Sequence, residues 1–390
     1  MADKAASPNV ASASSTNKVS LHELARFFLR LGVTAFGGPA AHIAMMEDEL
    51  VCRRQWISRE KFLDLLGASN LIPGPSSSEL AIHIGYLLAG WAGLLVAGTC
   101  FILPAAIMVA ALAWAYVHFG KLSEVSAILY GAKPVVIAVI LQALWALGRT
   151  AVKTTFLGVV GILAVLLAFL GLHPLLVLLL AGGAVCLTSL STLRLSVAPV
   201  PFAVPTAAVA GAATSFSLGS LFLVFLKAGA VVFGSGYVLL AFLRADLVVH
   251  RGWVTDSQLV DAVAVGQVTP GPVFTTATFI GYLLGGIRGA VVATVGIFLP
   301  AFLLVAASGP LVPRIRKSKI AGAFLDGVNV GSLALMAAVT WELGRASLVS
   351  AVTVLLTVAS LIALLRFRLN SGWLLLTGAI MGLIIHGFHL

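Results

Sequence analysis

The sequence predicts an all-α polytopic membrane protein made of two homologous halves. Three observations carry that prediction: composition, the spacing of apolar runs, and an internal repeat. Of 390 residues, 60% are hydrophobic and 10% charged, and the mean hydropathy is +1.08. Soluble domains carry about 25% charged residues. The bilayer therefore takes the place of water as solvent, and counting spans replaces counting domains by length.

Residues 1–20 are rich in Ala, Ser and Asn, with Lys4 and Lys18 and no apolar core of a cleavable signal, so they read as a disordered tail. Apolar stretches follow at about 27–46, 62–89, 93–116, 128–147, 157–171 and 175–190, forming a first repeat over 21–192. A Pro- and Ala-rich linker covers 193–219. The second repeat, 220–390, has stretches at 221–243, 259–284, 289–307, 321–343, 349–365 and 373–385. Most are close to the ~20 residues a helix needs to cross ~30 Å of hydrocarbon.

The duplication is legible residue by residue at an offset of about 197 positions. Phe28-Leu29-Arg30 matches Phe225-Leu226-Lys227, and Phe36-Gly37 matches Phe233-Gly234. Arg54 and Trp56 fall on Arg251 and Trp253, Asp64 on Asp261, Asn70 on Gln267, and Pro73-Gly74-Pro75 on Pro270-Gly271-Pro272. One residue is then lost, and Leu103-Pro104-Ala105 pairs with Leu299-Pro300-Ala301. Apolar helices share a small alphabet, but chance does not align Trp, Arg, Asp and Pro-Gly-Pro in one order.

Both halves carry helix breaks. Phe36-Gly37-Gly38-Pro39 interrupts the first apolar run and Pro73-Gly74-Pro75 the second, because glycine loosens a helix and proline removes a donor and clashes with the preceding turn. Irregular backbone at membrane depth survives only where protein or water satisfies it. Ser76, Ser77, Ser78 and Glu79 after the first break, and Thr275, Thr276 and Thr278 after the second, suit the starts of new half-helices. Such N-termini offer N–H groups and partial positive charge to an anion. A tight re-entrant turn with no ligand is the competing reading. Arg30 and Lys227 either serve an anion or snorkel to an interface.

Loop charge bears on topology. The third-to-fourth loop carries Lys121 in the first half, but Arg314, Arg316, Lys317 and Lys319 in the second. The fifth-to-sixth loop has no Lys or Arg at first, then Arg366 and Arg368. Equivalent loops thus face opposite sides, which predicts inverted repeats, each with about five spans plus a re-entrant or broken helix at Pro-Gly-Pro. With that assignment the basic residues before the first stretch start on the wrong side, unless Arg30 is buried or the first segment does not span.

The segments FLRLGVTAFGGP, NLIPGPSSSELAIHIGYLLAG, FLKAGAVVFGSGY and GQVTPGPVFTTATFIGYLLGG resemble the motifs of the two-domain chromate ion transporter family, and the likeness covers roughly 21–390. The resemblance implies a secondary transporter that exports chromate, a tetrahedral dianion close in shape to sulfate, across the inner (plasma) membrane and so confers chromate resistance. With the breaks it gives a set of anion-binding candidates: Arg30, Phe36, Gly37, Gly38, Pro39, Asn70, Pro73, Gly74, Pro75, Ser76 and Ser77 in the first half. Lys227, Gly234, Gly236, Gln267, Pro270, Gly271, Pro272 and Thr275 are their second-half counterparts. Gly234-Ser235-Gly236 replaces Gly-Gly-Pro, so the halves are chemically unequal.

Export of a dianion from an inside-negative cell needs no coupling ion. If a proton is coupled, Glu79, His83, Asp64 and Asp261 are the candidates, with pairing to Arg54 or Arg251, or capping, as the structural alternative for the two aspartates. His42 reads as a hydrogen-bonded histidine near a polar loop, and Asp326 and Glu342 as interface or packing features. A sulfate or other oxyanion carrier is the closest rival. A lipid-phosphate enzyme is remote, because no acidic pair or His/Cys cluster with metal-ligand spacing is present. Cys52, Cys100 and Cys186 lie far apart, excluding a zinc ribbon or disulfide framework. The basic residues are scattered through short loops, so no nucleic acid is expected as partner. No cofactor is called for, the bilayer is the main partner, and a homodimer is left open.

Overall fold

The computed structural model describes residues 19–36, 38–120, 122–192, 216–233, 236, 238–367 and 369–388. The tail and the linker therefore lie, apart from their last few residues, outside the described residues. Among the described residues every regular element is helical.

The first half consists of α1 (Leu21–Thr34), α2 (Gly38–Glu47) running into a π-turn (Asp48–Arg53), α3 (Arg59–Ser69), α4 (Ser76–Phe119), α5 (Ser123–Ala151), α6 (Thr155–Phe169) and α7 (Pro174–Thr192). The second repeats it: α8 (Leu218–Val231), α9 (Leu239–Leu243) with a π-turn (Arg244–His250), α10 (Asp256–Val268), α11 (Thr276–Lys317) after a 3₁₀ turn (Val273–Thr275), α12 (Lys319–Ser347), α13 (Ala351–Phe367) and α14 (Ser371–Phe388). Ser20 caps α1 and Ser217 caps α8. Each of these helices buries one stripe, Leu24, Phe27, Phe28, Leu31 and Gly32 in α1, and the matched Leu221, Val224, Phe225, Ala228 and Gly229 in α8. That is the i, i+3, i+4, i+7, i+8 spacing of one helical face.

The first apolar stretch is not one crossing helix. At 14 residues α1 reaches about 21 Å, less than the hydrocarbon thickness. By itself α1 is therefore too short to cross.

The second and third stretches meet in a hairpin. Within α4 the helix turns back at Ala89 (φ −142°) and Gly90 (φ 61°), and α11 does the same at Gly285 and Gly286 (φ 58°). Gly85 and Gly93, which a straight helix would hold about 12 Å apart, touch backbone to backbone, so that a Cβ on Gly93 would stand 2.1 Å from the Gly85 carbonyl oxygen. Gly281 and Gly289 repeat the contact, and Thr278 and Thr294 share a hydrogen bond of 2.7 Å across the second hairpin. The short arm, beginning at Pro-Gly-Pro, is the re-entrant piece. The long arm and the helix after it (α5 or α12) are the lengths that cross a bilayer. The remaining apolar helices in each half, α6, α7, α13 and α14, have 15 to 19 residues.

The halves are interlocked and inverted. Gly131 of α5 meets Gly378 and Gly382 of α14, Ala127 also meets Gly382, and Gly327 of α12 meets Ala181 and Gly182 of α7. Each half thus lays its last helices on the other half's long helix, through small residues that let backbones approach. In both contacts residue numbers rise on one helix as they fall on the other. The same holds between α5 and α12, where Leu147 faces Leu333 and Lys153 reaches Asp326. Equivalent helices therefore run antiparallel, as inverted repeats require. Trp145 and Trp341, matched positions exposed at 61% and 62%, consequently sit toward opposite ends, where Trp side chains prefer the two membrane interfaces.

A Cβ at Gly131 would lie 2.0 Å from the Gly378 carbonyl, whereas Gly183 on α7 has open space around it. Gly131→Val is expected to cost at least about 1–3 kcal/mol by overpacking and to lower the thermal midpoint and folded yield in detergent. Gly183→Val should leave both nearly unchanged.

Candidate functional site

The four breaks converge on one another across the pseudo-two-fold axis. Gly74 of the first Pro-Gly-Pro donates its N–H to the Val232 carbonyl at the end of α8 (2.7 Å), and Gly271 of the second donates to Ala35 at the end of α1 (2.9 Å). Each half-helix that ends without a successor is thus closed by the other half's turn. Both glycines lie in the left-handed region, at φ 139° and 94°. Their amides were expected to be free for an anion. They are instead committed to carbonyls, because at membrane depth an open carbonyl is costly and the partner break supplies the nearest donor.

Around this crossing the first half is rich in polar groups and the second is quiet. His42 links Ala35 O (Nε2, 3.1 Å) to Ser77 Oγ (Nδ1, 3.3 Å). A carbonyl can only accept, so Nε2 carries the hydrogen and the Ser77 hydroxyl donates to Nδ1 in the neutral ring. Ser78 Oγ, both carboxylate oxygens of Glu79, and His83 Nε2 are buried without a hydrogen-bond partner. Glu79 and His83 stand four residues apart on one face of the re-entrant arm, with Glu79 Oε1 directly beside Gly74, 2.2 Å from where a Cβ would be. In the second half Thr275 and Thr276 turn their hydroxyls back to Pro272 O and Val273 O, each at 2.8 Å, which spends them as donors. Gln267 contributes a buried amide Nε2 without a partner. Pro270 and Pro272 are buried, as is Pro75, while Pro39 and Pro73 are half-buried. Gly38 (φ 76°) starts α2, Gly236 is buried beside Phe274, and Ser76 is half-buried at the start of α4. Gly37 and Gly234 lie outside the described residues.

The cations do not assemble as an Arg30 and Lys227 pair. Arg30 is on the exposed side of α1, since the buried stripe is taken by Phe27, Phe28 and Leu31. Lys227 is held by Asp246 (3.0 Å) and His173 (3.0 Å). Burial pushes the Asp246 carboxyl up, but the His173 hydrogen bond and the Lys227 charge outweigh it and hold the group below the usual carboxylate range. The cation beside Asp261 of α10 is Lys133 of α5, half-buried, which the sequence reading passed over. It lies 3.2 Å from Asp261 Oδ1 and donates to Ser257 Oγ at 2.7 Å, while Tyr116 Oη donates to Asp261 Oδ2 at 3.0 Å. Asp261 therefore takes its partners from α4 and α5. Burial raises its carboxyl above the ordinary range, against the lowering effect of Lys133 and Tyr116. A lysine followed by proline inside an apolar helix, Lys133-Pro134, was the available signal. Phe36 and Asp64 are exposed.

Matched residues occupy unmatched environments. Gln267 is 6% exposed and Asp261 2%, whereas their counterparts Asn70 and Asp64 are exposed. The α10 helix is pressed into the core against α5 and α14. Where α3 would make the equivalent contact with α12 there is instead a cavity of about 430 Å³, lined by Asn70, Lys153, Asp326, Asn329 and Ser332 among others. Among the described residues no group of three or more His, Cys, Asp or Glu side chains is arranged to hold a metal.

A family model described as "Chromate transporter" matches residues 22–187 and again 219–383, once over each inverted half. The chain belongs to the chromate transporter family. It is 34% identical over 381 residues to a probable chromate transport protein of Synechococcus elongatus, covering 94% of this chain and 95% of that protein. It is 33% identical to the chromate transport protein of Cupriavidus metallidurans, over 94% of each chain. A chromate transport protein of Pseudomonas aeruginosa is 34% identical over 84% of this chain and 82% of its own. No solved structure matches.

Proposed function

We propose that this chain is a secondary transporter that carries chromate out of the cytoplasm across the inner membrane and thereby confers chromate resistance. The observation that carries the reading is the crossing of the two Pro-Gly-Pro turns at the pseudo-two-fold axis, in a chain similar along nearly its whole length to chromate transport proteins. Broken helices meeting between inverted repeats are where secondary transporters bind their substrates. The unequal burial of α3 and α10 supports alternating access: one half stands docked while its counterpart stands away. Exchange of those two positions would expose the crossing to the other side. Residues 21–192 and 220–390 would be the two units that exchange. A single chain already holds both, so a homodimer would set two such sites side by side.

Neutral or cationic donors suit a tetrahedral dianion, and the groups without a partner here are Ser78, His83 and the Gln267 amide, with the Ser77 hydroxyl already given to His42. The membrane potential alone favours export by about 2.3 kcal/mol per charge per 100 mV. Glu79, buried without a partner beside Gly74, is the group whose charge state would be coupled to what occupies the crossing.

Chromate uptake into inverted membrane vesicles tests the reading, with sulfate and molybdate as competitors and an uncoupler added. The expected result is saturable chromate uptake that sulfate inhibits more weakly than unlabelled chromate does. Sulfate uptake that chromate barely disturbs would make this a sulfate carrier, and uptake of neither anion would overturn the assignment. Glu79→Gln should leave folded yield intact and flatten the pH dependence of uptake. An unchanged pH profile would remove Glu79 from coupling.

A further inference from the structure

The cavity between α3, α5, α12 and the break after α8 is not part of the crossing just described, and polar side chains line it. Lys153 stands at its edge, paired with Asp326 at 2.7 Å. Both side chains are well exposed, at 60% and 37%, so this is a pair that water and ions readily exchange. Deeper in, Ser332 is 3% exposed and its hydroxyl has no partner. A buried hydroxyl without a partner is a cost the fold accepts where a ligand or water completes it. The amides of Asn70 and Asn329 also line the space. Thr150 lines it too, but donates to Leu147 O and is not free as a donor.

At about 430 Å³ the cavity has room for roughly fourteen waters at ~30 Å³ each. An anion can thus be received with part of its hydration shell. At the inverted counterpart of this place Asn329 is replaced by Lys133, and Lys133 is shut in by Asp261 and Ser257. One half thus holds an occupied lysine beside the docked α10, and the other an exchangeable lysine beside the cavity.

We propose that this cavity is the reception site for the transported oxyanion, with Lys153 as its cation, released from Asp326 when the anion arrives, and Ser332, Asn70 and Asn329 as neutral donors. The inference rests on the transport reading above and adds where the anion is first held. A dianion offers Lys153 more charge than Asp326 does, and its remaining oxygens take the serine and amide donors that Asp326 leaves unused.

The two partners of the pair give opposite predictions, which a purely structural ion pair would not. In proteoliposomes of the full-length protein with chromate as probe, Lys153→Met should raise KM about tenfold, the loss of one charge-assisted hydrogen bond, with the maximal rate changed less than about twofold. Lys153→Arg should stay within about threefold of wild type, and Asp326→Asn should lower KM. If Asp326→Asn and Lys153→Met instead depress rate and folded yield together, the pair is structural and the reception site is overturned. An unchanged KM in Lys153→Met overturns it as well. In both cases wild-type chromate flux keeps the transport reading intact; a wild type that moves neither chromate nor sulfate would overturn that reading instead.

Discussion

Gly271→Ala is expected to reduce chromate flux at least about a hundredfold. The residue holds φ 94°, and its Cβ would lie 2.7 Å from Ala105 Cβ and 3.3 Å from the Gly32 carbonyl. A non-glycine residue in such a conformation costs about 1–3 kcal/mol, and crowding a packed contact adds about 1–3 kcal/mol. The simplest relief is to move the turn, which breaks the Gly271 N–H bond to Ala35 O and leaves that carbonyl with His42 alone. Gly74→Ala repeats the injury in the other half, with the added methyl meeting Glu79 Oε1. Gly90→Ala is the comparison: its φ is 61° but nothing lies within 4 Å, so it carries backbone strain without a clash and should retain substantial flux. Flux per folded protein, with folding checked by size exclusion, is the measurement. Near-normal flux in Gly271→Ala would show that the crossed turns are packing and not machinery.

Lys133→Met is expected to destabilise the protein by about 3–5 kcal/mol, because it leaves the Asp261 carboxylate buried with only the Tyr116 hydroxyl. The double change Lys133→Met with Asp261→Asn removes both charges and should recover most of that loss. Thermal unfolding in detergent, followed by the fluorescence of the tryptophans, reads both. If the double variant is no more stable than the single one, Lys133 acts through packing of its stem and not through its charge. Flux is informative here too. Because this pair holds α10 against α5, loosening it should shift the balance between docked and undocked states even where the fold survives.

Much of this was legible in the chain. The duplication, the two Pro-Gly-Pro breaks and the division of the second and third apolar stretches near Gly90 are written in glycines, prolines and apolar spacing, which act over a few residues. The inverted sense was legible in the loop charges of the two halves, because charge asymmetry is set by the membrane and not by packing. Arg30 stayed ambiguous because a cation in an apolar stretch looks functional whichever way it faces, and only the packing of α1 shows that its buried stripe is elsewhere. Lys153 and Asn329 were missed because each is unremarkable locally and meets the far side of its cavity only across more than a hundred residues of chain, and Lys133 was missed although the proline after it marked the place.

What the sequence determined by itself is that this is an all-helical, duplicated membrane chain with a broken helix at a matched place in each half. Composition and backbone chemistry are sufficient causes for that. The tertiary structure decided which carbonyl each Pro-Gly-Pro amide meets, that each half lends its last helices to the other, and that α10 is docked while α3 stands off a cavity. Those outcomes depend on how two nearly equivalent halves interlock and on which of two matched positions each occupies, and a sequence that repeats itself specifies both positions without saying which is filled.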